Sequence, residues 1–461
     1  MKYSDKRFGS ILNGLRFNFG DRGLASKLLV ALATTSLLVS QSHSPATAAL
    51  DESPKTVVDE VWQIVNSEFV DREFNHTDWK IKRQELLHKQ YTDDKSAYKA
   101  IRNSLKDLGD PYTRFLEPKE YEELTSQTSG ELSGIGIQLG INEKTKKLTI
   151  FAPIPNSPAS KAGLKPGDRI TSINGQSTES MSLEEASAQI KGEVGTKVKL
   201  EILRQEKPAF EVTIARAQIE LPSVSYNLNQ EQDSKVGYIK LDEFSSHAAE
   251  QMQKAIEDLS KQQASGFILD LRGNPGGLLF SSVEIARMWM EKGEIVHTID
   301  RKGGNEKFSA NGKAITDLPL VVLVDGYSAS ASEILAGALK ENRRAKVVGS
   351  RTYGKGTVQS VHALSDGSGL AVTIARYYPP SGIDINKKGI APDIEVDLSR
   401  EQQTNLSINP SLIGTKDDPQ YARAVAILKG ETIRKAQNTL TKSLTSNRVR
   451  SANPSQPSNI K

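Results

Sequence analysis

The sequence predicts an α+β protein of several domains: a helical N-terminal segment, a compact β-barrel-like module and a larger α/β core. Three observations carry that prediction. The 461 residues exceed what one hydrophobic core serves. Apolar residues recur at helical spacing up to about residue 125 and then give way to short strands and turns. From Pro222 onward, strands and helices alternate, as they do around a mostly buried sheet.

Residues 1–48 read as an export signal. A basic stretch ending at Lys27 leads into the apolar run Leu28–Val39, and Ala46-Thr-Ala48 supplies small residues at the cleavage spacing. The run is shorter than the ~20 residues a spanning helix needs, so cleavage and work outside the cytoplasm are expected. This segment also accounts for the whole formal charge of +4, because Lys and Arg balance Asp and Glu in the rest of the chain. A balanced mature protein gives no reason to expect nucleic acid or an anionic membrane surface as partner. There is no cysteine, which excludes thiol chemistry, disulfides and Cys-based metal sites.

Residues 49–129 form the helical segment. Val57, Val58, Val61, Trp62, Ile64 and Val65 crowd one helix face, and Tyr98–Leu108 repeats the pattern. Asp110-Pro-Tyr-Thr-Arg-Phe115 breaks it, and a short helix follows around Pro118–Leu124. Residues 130–217 make the β-rich module. Its strands are expected at Ser133–Leu139, Leu148–Phe151, Arg169–Ile173, Val198–Leu203 and Phe210–Ala215. A helix Ser182–Ile190 is opened by a serine with Glu185 three residues on. Residues 218–400 hold the α/β core, with buried strands Gly266–Leu271 and Leu318–Val324 and helices His247–Gln262, Leu278–Met290 and Ser330–Leu339. Further strands are expected at Val236–Lys240, Gln359–Leu364 and Ala371–Tyr378. Residues 401–442 add a helix at Gln420–Gln437, and 443–461, rich in Ser, Asn and Pro, read as a disordered tail.

The chemistry concentrates in the core. Ser328, Ser330 and Ser332 cluster at the mouth of a helix, and Lys355 stands between Gly354 and Gly356 at the opening of a β-rich stretch. A serine hydroxyl is a poor nucleophile until a base removes its proton, and a lysine amine serves once burial keeps it neutral. Ser330 would sit where free helix N–H groups stabilise an oxyanion, with Lys355 on a strand and Gln359 on the same strand face, able to orient the amine. The turn Leu271-Arg-Gly-Asn-Pro-Gly276-Gly277 would offer a second N–H. Rival motifs fail. Gly349–Lys355 begins like a phosphate-binding loop, but Gly356 stands where Ser or Thr should follow, and the next residues are strand-like. No G-x-S-x-G or H-E-x-x-H occurs. No metal or other cofactor is expected. In the β-rich module, the N–H groups of Ser133-Gly-Ile-Gly136 could hold a carboxylate beside a strand open to an added peptide.

Pro158-Ala-Ser-Lys-Ala-Gly-Leu-Lys-Pro-Gly-Asp-Arg-Ile and Ile173-Asn-Gly resemble the PDZ domain in its circularly permuted form. That resemblance implies that Ser133, Gly134, Ile135, Gly136 and Ile137 line a site for a free protein C-terminus. The runs Ser328–Lys340, Thr352–Gln359 and Leu271–Leu279, with Tyr377–Gly382 and Gly389–Asp393, resemble the motifs of the carboxyl-terminal processing (tail-specific) serine proteases of peptidase family S41. The resemblance spans roughly residues 55–400 and looks most like the cyanobacterial and chloroplast branch, which trims the photosystem II D1 precursor. It implies a ClpP/crotonase-like protease core, Ser330 as nucleophile, Lys355 as base, Gln359 as its orienting partner, and Gly276 and Ala331 as oxyanion donors. It also implies protein or peptide substrates with a free C-terminus, met in the periplasm or thylakoid lumen. Arg272-Gly273 departs from the Arg-Asn of many relatives without removing a catalytic group. A protease-like adaptor, capturing C-termini without cutting them, is the rival reading; intact Ser330, Lys355 and Gln359 argue against it.

Overall fold

The computed structural model describes residues 53–205, 207–232 and 234–430. The export signal, the end of the last expected helix and the tail lie outside the described residues. The chain divides into two units: residues up to Leu124 with Thr298–Glu306 and Thr357–Tyr377, and Thr125–His297 with Lys307–Gly356 and the chain from Tyr378 onward.

In the first unit, helix Pro54–Glu68 starts behind Ser53, whose hydroxyl accepts from the Lys55 N–H, with Pro54 at its first position. It buries Val57, Val58, Val61 and Val65. Helix Asp94–Lys106 starts at a reciprocal cap between Asp93 and Ser96 and buries Tyr98, Ile101 and Leu105. These faces meet Phe115, Leu364, Leu370 and Val372 in one core. Leu364 directly follows strand Thr357–Ala363, and Leu370 and Val372 belong to strand Gly369–Tyr378; these two strands pair antiparallel, and strand Arg114–Leu116 joins the same sheet. Trp79–His88 is a further helix here. Helix Pro118–Ser129 runs five residues beyond its expected end.

The second unit holds the β-rich module and the α/β core. The module's sheet runs in the order Ile137–Ile141, Leu148–Pro153, Arg169–Ile173, Lys197–Leu203, Phe210–Ala215, which leaves Ile137–Ile141 at an edge. Helix Leu183–Ile190 begins at the expected Ser182–Glu185 box and buries Ala186 and Ile190 among Ile135, Ile150, Ile173, Val198 and Leu200. The expected single strand Ser133–Leu139 is two strands, Glu131–Gly134 and Ile137–Ile141, broken at Ile135-Gly136. Gly136 has φ +77°, and a Cβ there would lie 2.3 Å from the Ser157 Cβ, so only glycine lets the chain turn at this point.

The core sheet runs Val224–Glu231, Ser234–Leu241, Gly266–Asp270, Leu320–Val324, Lys346–Gly349, Ile394–Glu395, parallel after its first hairpin. Gly266–Asp270 and Leu320–Val324 are buried at every position, the pattern of strands covered on both faces. Helical residues 419–430 place Tyr421, Ala424, Val425 and Leu428 against Val236, Tyr238, Ile268, Val321 and Leu323. The C-terminal segment therefore completes this core.

Candidate active site

Adjacent parallel strands, with Asp270 opposite Leu323, deliver two loops to the same end of the sheet, 271–277 and 325–330. The loops are stitched together. The Leu271 N–H donates to the Leu323 carbonyl at 2.9 Å and the Ala329 N–H to the Asn274 carbonyl at 3.1 Å. The Gly273 N–H reaches Asp325 Oδ1 at 3.0 Å. In open α/β sheets this carboxyl end of the strands is where ligands bind.

The stitching separates the three serines. Ser328 and Ser332 are wholly buried. The Ser328 hydroxyl donates to the Leu271 carbonyl at 2.8 Å, and that of Ser332 to the Asn274 carbonyl at 3.0 Å. Both hydroxyls act as structural ties. Ser330 is half-buried and sits at φ +54°, ψ −114°, immediately before helix Ala331–Glu341. A side chain held there is strained, and such strain persists only where neighbours over-determine it.

One neighbour is the glycine turn. At Gly276, φ is +110°, and a Cβ would come within 2.8 Å of the Ser330 Cβ and 3.0 Å of the Ala331 nitrogen. The turn thus packs directly on the serine and on the first N–H of its helix. The Gly276 N–H donates to Asn274 Oδ1 at 2.8 Å, and Asn274 is fixed in turn by its Nδ2 on the Leu241 carbonyl at 2.8 Å. Any oxyanion bonded by Gly276 shares that hydrogen with Asn274.

The other neighbour is Glu333, to which the sequence reading gave no role. Its carboxylate is wholly buried and accepts four hydrogen bonds. Oε2 takes the backbone N–H groups of Ser330 and Lys355, each at 2.9 Å. Oε1 takes the Gly354 N–H at 2.7 Å and the Thr352 hydroxyl at 2.6 Å. A single oxygen therefore stands between the backbones of the serine and the lysine. Burial pushes the Glu333 carboxyl above its ordinary value, against the pull of these four donors. The signal in the sequence was the Ser-x-x-Glu spacing from Ser330, the same pattern that located the Ser182 cap.

Lys355 is not on a strand. The ladder begins at Thr357, opposite Arg376, and residues 351–356 are an extended loop without regular structure. Gly354 and Lys355 spend their N–H groups on Glu333 instead of on a neighbouring strand, so the ladder does not extend back to the lysine. Lys355 itself is half-buried. No helix follows Gly349–Lys355, so the phosphate-loop geometry is absent there. Gln359 lies in the strand, but a bulge between Val358 and Gln359 shifts the register, so simple alternation does not carry from Lys355 to Gln359. The Gln359 Nε2 donates to the hydroxyls of Thr357 at 2.9 Å and Thr373 at 3.2 Å. His362, His247 and His297 each face a glutamate, namely Glu68, Glu131 and Glu294.

In the module, Ser133 and Gly134 belong to the ladder with Gln218 and Ala217, and Ile137 opens the edge strand. Only Ile135 and Gly136 form the turn. Their carbonyls accept from the Ala159 and Ile154 N–H groups, each at 2.9 Å, while no backbone bond among the described residues engages their own N–H groups. The Ser133 hydroxyl donates to the Gly192 carbonyl.

Comparison with known proteins follows this division. A profile of peptidase family S41 matches residues 235–396, and a PDZ domain profile matches residues 123–203. A carboxyl-terminal-processing protease of Synechocystis sp. is 43% identical over 396 residues, covering 85% of this chain and 91% of the relative. The chloroplastic carboxyl-terminal-processing peptidase 3 of Arabidopsis thaliana is 39% identical over 350 residues, covering 73% of this chain and 67% of the relative. Among solved structures, a photosystem II D1 C-terminal processing protease aligns with a TM-score of 0.50 at 35% identity, covering 80% of this chain and 99% of that one.

Proposed function

The chain belongs to peptidase family S41 and is a serine-type, carboxyl-terminal-processing endopeptidase with a PDZ domain, and from that premise we propose which residues cut and which select. Ser330 is the nucleophile, Lys355 the general base and Gln359 the residue that orients the lysine amine. The N–H groups of Ala331 and Gly276 receive the oxyanion. The observation that carries this reading is Glu333 Oε2, which accepts from the backbones of Ser330 and Lys355 at once. A carboxylate buried to join those two residues, and a nucleophile held at positive φ, are costly features that a mere helix cap does not need.

In the proposed reaction the Lys355 amine takes the Ser330 hydroxyl proton as Oγ attacks the scissile carbonyl. The tetrahedral oxyanion then lies at the N-terminus of helix Ala331–Glu341, where backbone N–H groups and the helix dipole favour negative charge. Collapse expels the amine, which carries away the proton held by Lys355, and water releases the acyl group by the reverse sequence.

The PDZ domain would receive the substrate's C-terminal carboxylate at Ser133, Gly134, Ile135, Gly136 and Ile137. Support comes from the uncommitted N–H groups of Ile135 and Gly136 and from the open edge of strand Ile137–Ile141, onto which a peptide can add. The substrates would be exported proteins with C-terminal extensions in the periplasm or thylakoid lumen, the photosystem II D1 precursor among them. Among the described residues, no helix is long and apolar enough to cross a membrane.

Cleavage of dye-labelled, unfolded casein by purified protein tests the assignment. Ser330→Ala and Lys355→Ala should each abolish turnover while the thermal transition persists. Turnover retained in Lys355→Ala would sink the proposed base.

A further inference from the structure

The Asp110-Pro-Tyr-Thr-Arg-Phe115 break has no part in the reaction as described, yet it converges with Gln359 inside the first unit. Strand Arg114–Leu116 pairs with the strand that carries Thr373, and Thr373 lies opposite Gln359 across the next ladder. Thr373 and Thr113 are almost wholly buried. Asp110 Oδ2 accepts the hydroxyls of Thr373 and Thr113, each at 2.6 Å, and the Thr113 N–H at 3.1 Å; Oδ1 accepts the Tyr112 N–H at 3.1 Å. The Thr113 hydroxyl accepts in turn from the Thr373 N–H at 3.1 Å.

Proton direction then settles the rest. A threonine hydroxyl carries one hydrogen, and an ionised carboxylate only accepts. Thr373 gives its hydrogen to Asp110, so toward Gln359 it can only accept, and the Gln359 group facing it must be the NH₂. The Thr357 hydroxyl takes the second amide hydrogen at 2.9 Å. Both amide hydrogens are committed, and the oxygen is the end left over.

We propose that Asp110 and Thr373 are positioning residues that fix the Gln359 amide so that its oxygen, not its nitrogen, serves the Lys355 amine. The proposal rests on the assignment of Gln359 made above. The polarity matters because a neutral amine has two hydrogens and one lone pair. An amide oxygen that accepts one hydrogen leaves the lone pair for the serine proton. A flipped amide would donate into that lone pair and compete with the reaction it is meant to assist.

The test is a mutant cycle on casein cleavage, with kcat and KM measured separately and thermal melting followed in each variant. Thr373→Val, close to isosteric but lacking the hydroxyl, should lower kcat roughly tenfold or more with KM unchanged. Thr373→Ser should restore kcat to within about twofold, since the relay needs only the hydroxyl. In a Gln359→Ala background, Thr373→Val should cost nothing further. Asp110→Asn, able to donate where the carboxylate accepts, should lower kcat as Thr373→Val does and stands in if valine prevents folding. Gln359→Ala with unchanged kcat would overturn the assignment beneath the proposal. A kcat loss in Gln359→Ala but none in Thr373→Val or Asp110→Asn would overturn the relay alone. An undiminished effect of Thr373→Val in the Gln359→Ala background would reduce Thr373 to a packing residue and overturn it as well.

Discussion

Glu333 and Asp270 are both wholly buried carboxylates in the same core, and burial pushes each toward its neutral form, yet they end on opposite sides of their ordinary values. At Asp270 the Arg272 guanidinium outweighs burial. Its Nε lies 2.9 Å from Oδ1 and its Nη2 2.5 Å from Oδ2, and the carboxyl is held low. The same guanidinium binds Asp418 at 2.7 Å and Gln420 at 2.9 Å, which pins the C-terminal segment to the end of a core strand. Glu333 is met only by neutral donors at the distances given above, and its carboxyl stays high. The ion pair fastens two segments of chain through a side-chain cation. The carboxylate fed by backbone N–H groups gathers the serine and the lysine without one.

If that contrast is correct, breaking the ion pair should cost stability above all. Arg272→Met leaves Asp270 and Asp418 buried and uncompensated, and should lower unfolding free energy by about 3–5 kcal/mol, read from the urea midpoint. A loss below about 1 kcal/mol would mean that the three residues do not act as a buried ion-pair network. Glu333→Gln should show the reverse balance. Whichever way the new amide turns, its NH₂ confronts two donors that formerly had an acceptor. Stability should fall by about 1–3 kcal/mol, while casein cleavage falls a hundredfold or more, because serine and lysine lose their common anchor. A cleavage loss under about tenfold would place the hub among the merely structural contacts.

The two carboxylates should also tilt stability oppositely with pH. Glu333 has a folded pKa above its ordinary 4.5. Its contribution is fully present below that value and is lost as pH rises through the elevated folded one, so the gap between the wild-type protein and Glu333→Gln should narrow with rising pH. Asp270 has a folded pKa below its ordinary 3.8. Its contribution is present above that value and is lost as pH falls through the depressed one, so the gap to Asp270→Asn should narrow with falling pH. Denaturation series at several pH values measure both slopes, and slopes of the same sign would erase the distinction.

Much of this was legible in the sequence where local chemistry decides. Gly266–Leu271 and Leu318–Val324 announced themselves as buried strands by their apolar runs, the first interrupted only by Asp270, and Ser182 announced its helix by its cap. Strand Val224–Glu231 did not, because it is a polar outer strand with Ser225, Tyr226 and Asn227 exposed, held by its hairpin partner and not by an apolar face. Ser330 stood out as a hydroxyl before a helix. The hub at Glu333 was hidden, because an acid in a first helical turn ordinarily faces water, and only the folded base loop supplies its other donors. Asp270 carried a readable hint, a lone acid closing an apolar strand, but Asp418, which shares Arg272 with it, lies 148 positions downstream. Asp110 and Thr373 are 263 residues apart and meet only through sheet register.

The smallest effect bears on the choice of nucleophile from three neighbours. The Ser328 hydroxyl donates to the Leu271 carbonyl and accepts the Asp325 N–H at 2.9 Å, so Ser328→Ala leaves that N–H short of its acceptor, while the Leu271 carbonyl keeps the Asn274 N–H at 3.2 Å. That should cost about 1 kcal/mol of stability and reduce casein cleavage only a few-fold, through a slight loosening of the 325–330 loop. Ser332→Ala should behave alike, since its hydroxyl bonds only the Asn274 carbonyl among the described residues. Both variants keep the strained turn and the Glu333 hub. If either fell as far as Ser330→Ala, the loop ties would be as indispensable as the proposed nucleophile, and the line between fastening and chemistry drawn from the two carboxylates would fail at the serines too.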